Sequence, residues 1–296
     1  MSAVFEHWSY DPFIIVVVVI IAIHGWGLRK HLAAVSRARR DTRPWLGQAL
    51  LFWAGLVVLL LAVVSPVDYW SDTYLTAHII QHILLAFIAP PLIVLGAPWV
   101  PVLLGLPRIV RKGYGRLLQY TMPGRTVPAS PGWRAARRVR KFAAKPWVSV
   151  IAFNFVMVFW HLPGPFQLAA SNQYVHIWLS HGSFFAFGVC LFLQVFGSYP
   201  FRPVLPAPAR VLALVVTNAV MVAVAMTLVM FTHNVYEWYA GAGASRQAAD
   251  QQIAGAILWV CGEITFLPSI LYTVAKWLDD DPRWSDKKAK NPATIT

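Results

Sequence analysis

The feature that most constrains this chain is how little interrupts its apolar stretches. Runs at about 12–29, 46–65, 147–162, 177–197, 209–232 and 252–275 are almost free of charge. Each is close to the roughly 20 apolar residues that an α-helix needs to cross a bilayer. A further run, about 74–105, is longer and contains Pro90, Pro91, Pro98 and Pro101. It reads as one span followed by a broken, partly re-entrant piece, because irregular backbone at membrane depth needs protein or water around it. Pro90 and Pro91 have no N–H to donate, so a kink or stop is expected there. The chain is 58% hydrophobic and only 12% charged, about half the charge of a soluble domain. The expected fold is therefore all-α, a polytopic membrane protein of seven transmembrane helices with its third span broken by prolines.

The connecting segments assign the two sides. Lys and Arg number six in 29–46, eleven in 106–146, two in 198–210 and five from Lys276 onward, together 24 of the 25 in the chain. Arg246 alone falls on the other side, which instead carries Glu6, Asp11, Asp68, Asp72, Glu237 and Asp250. Cytoplasmic loops concentrate basic residues, so the amino terminus is expected outside and the carboxyl terminus in the cytoplasm. Only an odd number of spans produces this split. It also accounts for the net charge of +13 without invoking nucleic acid. The organisation expected is a seven-helix membrane domain, 1–275, with a basic cytoplasmic loop at 106–146, and a charged cytoplasmic tail at 276–296. The Arg-rich stretch from Arg134 to Lys145 suits either a plain topology determinant or an amphipathic helix on anionic membrane lipid.

Candidate chemistry comes from the histidines. His7, His78, His82, His161, His176, His181 and His233 all map to the outer side, leaving only His24 and His31 towards the cytoplasm. His78 and His82 are four apart, so their side chains stack on one helical face, as a pair of metal ligands requires. Met157 and His161 are also four apart, and Met226, Met230 and His233 follow an i, i+4, i+7 stripe. Imidazole with thioether suits copper, particularly Cu(I), whereas carboxylate-poor surroundings disfavour calcium and magnesium. A lone interfacial His is commonplace, and a Met at helical spacing is usually core filler. Their joint clustering on one side is what favours a metal or a haem. Glu263 lies about 16 Å into the last span by helix rise. An intramembrane carboxylate is a functional candidate, or else a hydrogen-bonding partner of another helix. Asp250, just before that span, could cap its amino terminus or orient a histidine.

At these residues the sequence resembles the CtaG-type cytochrome c oxidase assembly factors of bacteria. The resemblance is carried by His78-Ile-Ile-Gln-His82 running into Ala89-Pro90-Pro91-Leu92 and Gly96-Ala97-Pro98. It continues in Trp160-His161-Leu162-Pro163, in the His176 to His181 segment, and in Asp250-Gln251-Gln252-Ile253-Ala254-Gly255 before Trp259. It implies a multi-pass protein of the plasma membrane that serves maturation of a caa-type oxidase, handles copper and acts on an oxidase subunit as a chaperone. The residues it picks out are His78, His82, His161, His176, His181 and Asp250. The chain departs from the pattern at Ser180, Gln194 and Leu258, where Glu or Gln, an aromatic residue and Met are expected.

Three functions compete. The first is an assembly factor that binds copper at the outer face and helps to metallate an oxidase subunit, with no turnover chemistry of its own. The second is a copper transporter, which needs polar residues continuing through the membrane. The third is a haem-binding oxidoreductase or haem carrier using two histidines as axial ligands.

Overall fold

The computed structural model describes residues 7–8, 13–113, 145–242 and 244–280; the Arg134 to Lys145 stretch, apart from Lys145, and the tail beyond Asp280 lie outside them. Every regular element described is a helix, and the sole β-feature is an isolated bridge between Ser198 and Phe201. In chain order the helices are α1 (Phe13–Arg37), α2 (Arg43–Val64), α3 (Pro66–Ser71), α4 (Leu75–Leu95), α5 (Trp99–Gly105), α6 (Pro146–Trp160), α7 (Pro163–Ser171), α8 (Val175–Val195), α9 (Ala207–Met230) and α10 (Ala244–Asp280). Proline opens α2, α3, α6, α7 and α9 in their first turns, where its fixed φ suits a helix and its missing N–H is no loss.

Among the described residues, α1, α2, α4, α8, α9 and α10 are each long and apolar enough to cross a bilayer. The pair α6 and α7, bent by 76° at a short break, makes a seventh candidate crossing. The cause of the bend is local. Pro163 disfavours the helical conformation at the residue before it, and Leu162 is accordingly extended, with ψ of 141°. The helix stops at Trp160 and the chain turns across the end of the bundle.

The proline-rich third span is interrupted in a different manner from that expected. The helix does not end at Pro90 and Pro91 but runs on to Leu95. The lost hydrogen bonds are absorbed upstream, where Leu84–Ile88 forms a π-turn and the Ala89 N–H donates to the Leu84 carbonyl. The break itself falls at Gly96-Ala97-Pro98, with Ala97 in the left-handed region at φ 43°. The short α5 then packs against α1. Helix α4 is the centre of the bundle: 67% of its apolar window is buried, against 22–39% for the other single-helix spans. It can be this central because its neighbours come close. A Cβ on Gly188 of α8 would stand 2.9 Å from the Pro90 ring and 3.0 Å from the Ala86 carbonyl oxygen.

Contacts between the helix ends define two distinct ends of the molecule. At one end Lys30 meets Leu104 and Trp99 meets Ser198. At the other, Asp250 meets Leu75 and Tyr236 meets His161.

Candidate metal centre

Two histidine pairs and one single histidine converge beside the first turns of α4. His78 and His82 project from one face of that helix, each only 4% exposed, with ring centroids 4.3 Å apart. His176 and His181 are five residues apart. In an α-helix that spacing would set them about 140° apart around the axis, at 3.6 residues per turn. The segment Val175–His181 is instead a π-helix, in which the Gly182 N–H donates to the Ile177 carbonyl. Hydrogen bonds from i to i+5 bring residues five apart onto one face, and the two rings approach to 4.1 Å. His161, the residue after α6, enters from the side.

His82 is the hub. Its ring contacts those of His78, His181 at 5.4 Å and His161 at 5.7 Å. His78 and His176 stack in parallel planes at 5.1 Å. Among the described residues, His78, His82 and His176 form the group whose ligand nitrogens lie within 4.8 Å of one another and could hold a metal ion. Both ring nitrogens of His82 and Nε2 of His161, His176 and His181 are buried without a hydrogen-bond partner. A buried polar atom left unsatisfied costs about 1–3 kcal/mol. Five such atoms in one pocket are a poor arrangement for packing and a fitting one for binding a cation. At His161 the tautomer follows from its surroundings. Nδ1 lies 2.7 Å from the Met157 carbonyl, which can only accept, so the proton sits on Nδ1 and the Nε2 lone pair is free. A backbone carbonyl behind a ligating histidine fixes its ring in this way at metal sites.

The surroundings are aromatic on one side and built from cross-helix hydrogen bonds on the other. Phe184 lies 4.6 Å from His82, and Phe166 of α7 lies 5.0 Å from His78. Tyr236 stacks on Phe166 at 3.8 Å, and its hydroxyl donates to the His161 carbonyl at 2.9 Å. The Tyr239 hydroxyl donates to the Ser71 carbonyl at 2.8 Å. Burial raises both phenol pKa values above their usual range, and Asp72, Asp250 and Tyr236 add to the rise at Tyr239. Both therefore remain protonated donors. Gln81, between the two α4 histidines, donates to the Ala62 carbonyl and to Asp68.

The capping role considered for Asp250 falls on a different helix from its own. Helix α10 begins at Ala244, so Asp250 lies too far inside to cap its own helix. Its carboxylate instead accepts from the backbone N–H of Leu75 at 2.6 Å and of Thr76 at 3.3 Å, and the Thr76 hydroxyl donates to its carbonyl. It caps the helix that carries His78 and His82, across 175 residues of sequence. A carboxylate at a helix amino terminus also complements the helix dipole. Sequence reasoning missed Tyr236 and Tyr239, and quoted Gln251 only within its motif. The Gln251 side chain accepts from Val235 N–H and donates toward the Leu228, Phe231 and His233 carbonyls, closing the end of α9. Gln251 is 3% exposed, and its place ahead of an apolar run is its signal in the sequence.

The secondary candidates disperse. Met157 is core, and it is its carbonyl that meets His161. The Met226, Met230 and His233 stripe fails as a helical face because α9 ends at Met230, with Phe231 extended. Met230 is 72% exposed, and His233 is exposed against Phe231. Glu263 is half-buried and accepts from the Asn218 amide at 3.0 Å, joining α10 to α9. His24 sits between Phe52 and Trp53, and His31 against Trp45, both apart from the cluster.

The sequence profile of the cytochrome c oxidase caa3 assembly factors matches residues 31–280. Similar chains include uncharacterized proteins of Mycobacterium leprae, 24% identical over 94% of this chain, and of Mycobacterium bovis and Mycobacterium tuberculosis, each 23% identical over 98% of it. This chain spans 40–42% of the length of these relatives. No solved structure matches it.

Proposed function

The chain belongs to the cytochrome c oxidase caa3 assembly factor family, and on that premise we propose that its histidine cluster holds copper as cargo, as Cu(I), for a subunit of the oxidase. With its apolar helices and mycobacterial relatives it is a multi-pass protein of a bacterial plasma membrane. The observation that carries the copper reading is the set of buried imidazole nitrogens with no partner. Neutral imidazoles suit copper and zinc. His78, His82 and His176 are the first ligands, with His161 and His181 within reach of His82. The ligands lie in one shallow layer at one end of the bundle, which suits hand-over to a partner docking on that face. Among the described residues, the polar side chains needed for passage to the opposite end do not continue from the cluster as a histidine or carboxylate chain, which weighs against transport. Haem is disfavoured by packing. Five imidazoles and two phenyl rings at 4–6 Å centroid separations leave no slot for a macrocycle.

The test is elemental analysis of the purified protein with its absorption spectrum, alongside the double variant His78→Ala, His82→Ala. Copper bound stoichiometrically by the wild type, lost in the variant together with oxidase maturation while membrane insertion persists, is the expected result. A Soret band would establish haem instead. A double variant that still binds copper stoichiometrically would put the ligands elsewhere.

A further inference from the structure

The end of the molecule opposite the histidines carries a second constellation, built where α1 meets α5. Gly27 and Gly105 let these helices touch backbone to backbone: a Cβ on Gly27 would stand 1.7 Å from the Pro101 carbonyl oxygen, and one on Gly105 1.9 Å from that of Ile23. One turn beyond Gly27, Lys30 reaches across to donate to the Leu104 carbonyl at 3.1 Å. Its ammonium also sits 5.0 Å over the Trp26 ring, with the Arg29 guanidinium 5.8 Å from the same ring. Among the described residues, one of the three donor hydrogens of Lys30 is committed, to Leu104.

Around this ammonium lies a cleft of about 450 Å³ lined by Trp26, Lys30, Gly105, Leu106, Pro107, Arg108 and Arg111. That volume is in the range of small-molecule sites, about 300–1,000 Å³. Among the described residues, three cations line it and no carboxylate does. Beside the arginines, Ile109 is 86% and Val110 50% exposed, and Trp26 is 54% exposed. Apolar residues bared next to a basic cleft, with a tryptophan at its rim, are what an interface between head groups and acyl chains selects. A free phosphate would need the cations alone.

We propose that this cleft seats the phosphate of an anionic phospholipid head group. Arg108 and Arg111 grip the phosphate oxygens, Lys30 adds a third charge, and Ile109, Val110 and Trp26 rest in the adjoining acyl region. Basic pockets between transmembrane helices bind anionic head groups for the same reasons. The site is independent of the histidine cluster.

The test compares wild type with Arg108→Gln, Arg111→Gln and, as a control of equal charge loss on the same end, Arg37→Gln, Arg40→Gln. Each is reconstituted in phosphatidylcholine with and without phosphatidylglycerol, and the lipid retained through native mass spectrometry is counted. Wild type and control should retain phosphatidylglycerol over phosphatidylcholine. The site variant should lose that preference by about tenfold or more, at roughly fivefold for each basic residue removed. Equal losses in the site variant and the control would overturn the proposal by reducing it to general surface charge. Displacement of the lipid by inorganic phosphate at millimolar concentration would overturn it in favour of a free anion. Should the double variant fail to fold, Arg108→Gln alone, at an exposed position, gives the same comparison against Arg40→Gln.

Discussion

Replacing Asp250 by Ala removes a carboxylate that lies on α10 yet governs α4. Two backbone donors of the first turn of α4, those of Leu75 and Thr76, lose their acceptor. The first four N–H groups of a helix have no partner within it, so these two have no internal replacement. The bond to Leu75, at 2.6 Å, belongs to the charge-assisted class, worth about 1.5–3 kcal/mol. The bond to Thr76, at 3.3 Å, adds little, and a capping substitution as a whole costs about 0.5–2 kcal/mol. A loss of about 2 kcal/mol in the turn that carries His78 corresponds to roughly 30-fold in any equilibrium requiring that turn to be ordered. Copper affinity, measured by competition with a Cu(I) chelator, should therefore weaken by about 10–30-fold in Asp250→Ala. Asp250→Asn keeps one acceptor for Leu75 and should weaken it less. Thr76→Val removes only the hydroxyl bond and should leave affinity close to wild type. An unchanged affinity in Asp250→Ala would show that the cap does not position His78, and the reasoning would fail.

Two further outcomes are expected. Gly188→Leu forces a side chain into the Pro90 ring and the Ala86 carbonyl; it should destabilise the protein by about 1–3 kcal/mol, as overpacking does, seen as an earlier thermal midpoint in detergent, and a midpoint at the wild-type temperature would refute the close approach of α4 and α8. Reporters fused after Arg138 and near Gly243 should be active on opposite sides of the membrane, cytoplasmic and outer respectively, given the placement of 24 of the 25 basic residues; activity on the same side would overturn the alternating topology.

The spans were legible because a bilayer demands long apolar runs, and the split of basic residues tied them to alternating ends. His78 and His82 were legible because an α-helix brings i and i+4 together. His176 and His181 were suggested by the resemblance and by their side of the membrane, while their spacing gave no sign that they face one another. That needs the π-turn, which no periodicity announces. The same kind of turn made Pro90 and Pro91 compatible with a helix that was expected to falter there. The Met226, Met230 and His233 stripe misled because helical spacing means nothing beyond the last helical residue, here Met230. The cap from Asp250 was illegible in principle. Its partners are 174 and 175 residues away, and only the packing of α10 against α4 brings them together.

The π-turn at Val175–His181 means that the number of imidazoles meeting at one point depends on helix register as well as on sequence. Moving that turn to α-register would rotate His176 about 140° away from His181 without altering a single residue of the cluster. The number of imidazoles that face one another is thus coupled to a backbone rearrangement of a single residue's worth of winding. A partner pressing on the exposed side of this segment, where Tyr174 and Trp178 are 79% and 73% exposed, would act on the grip of the site from outside, as a hand on a clasp.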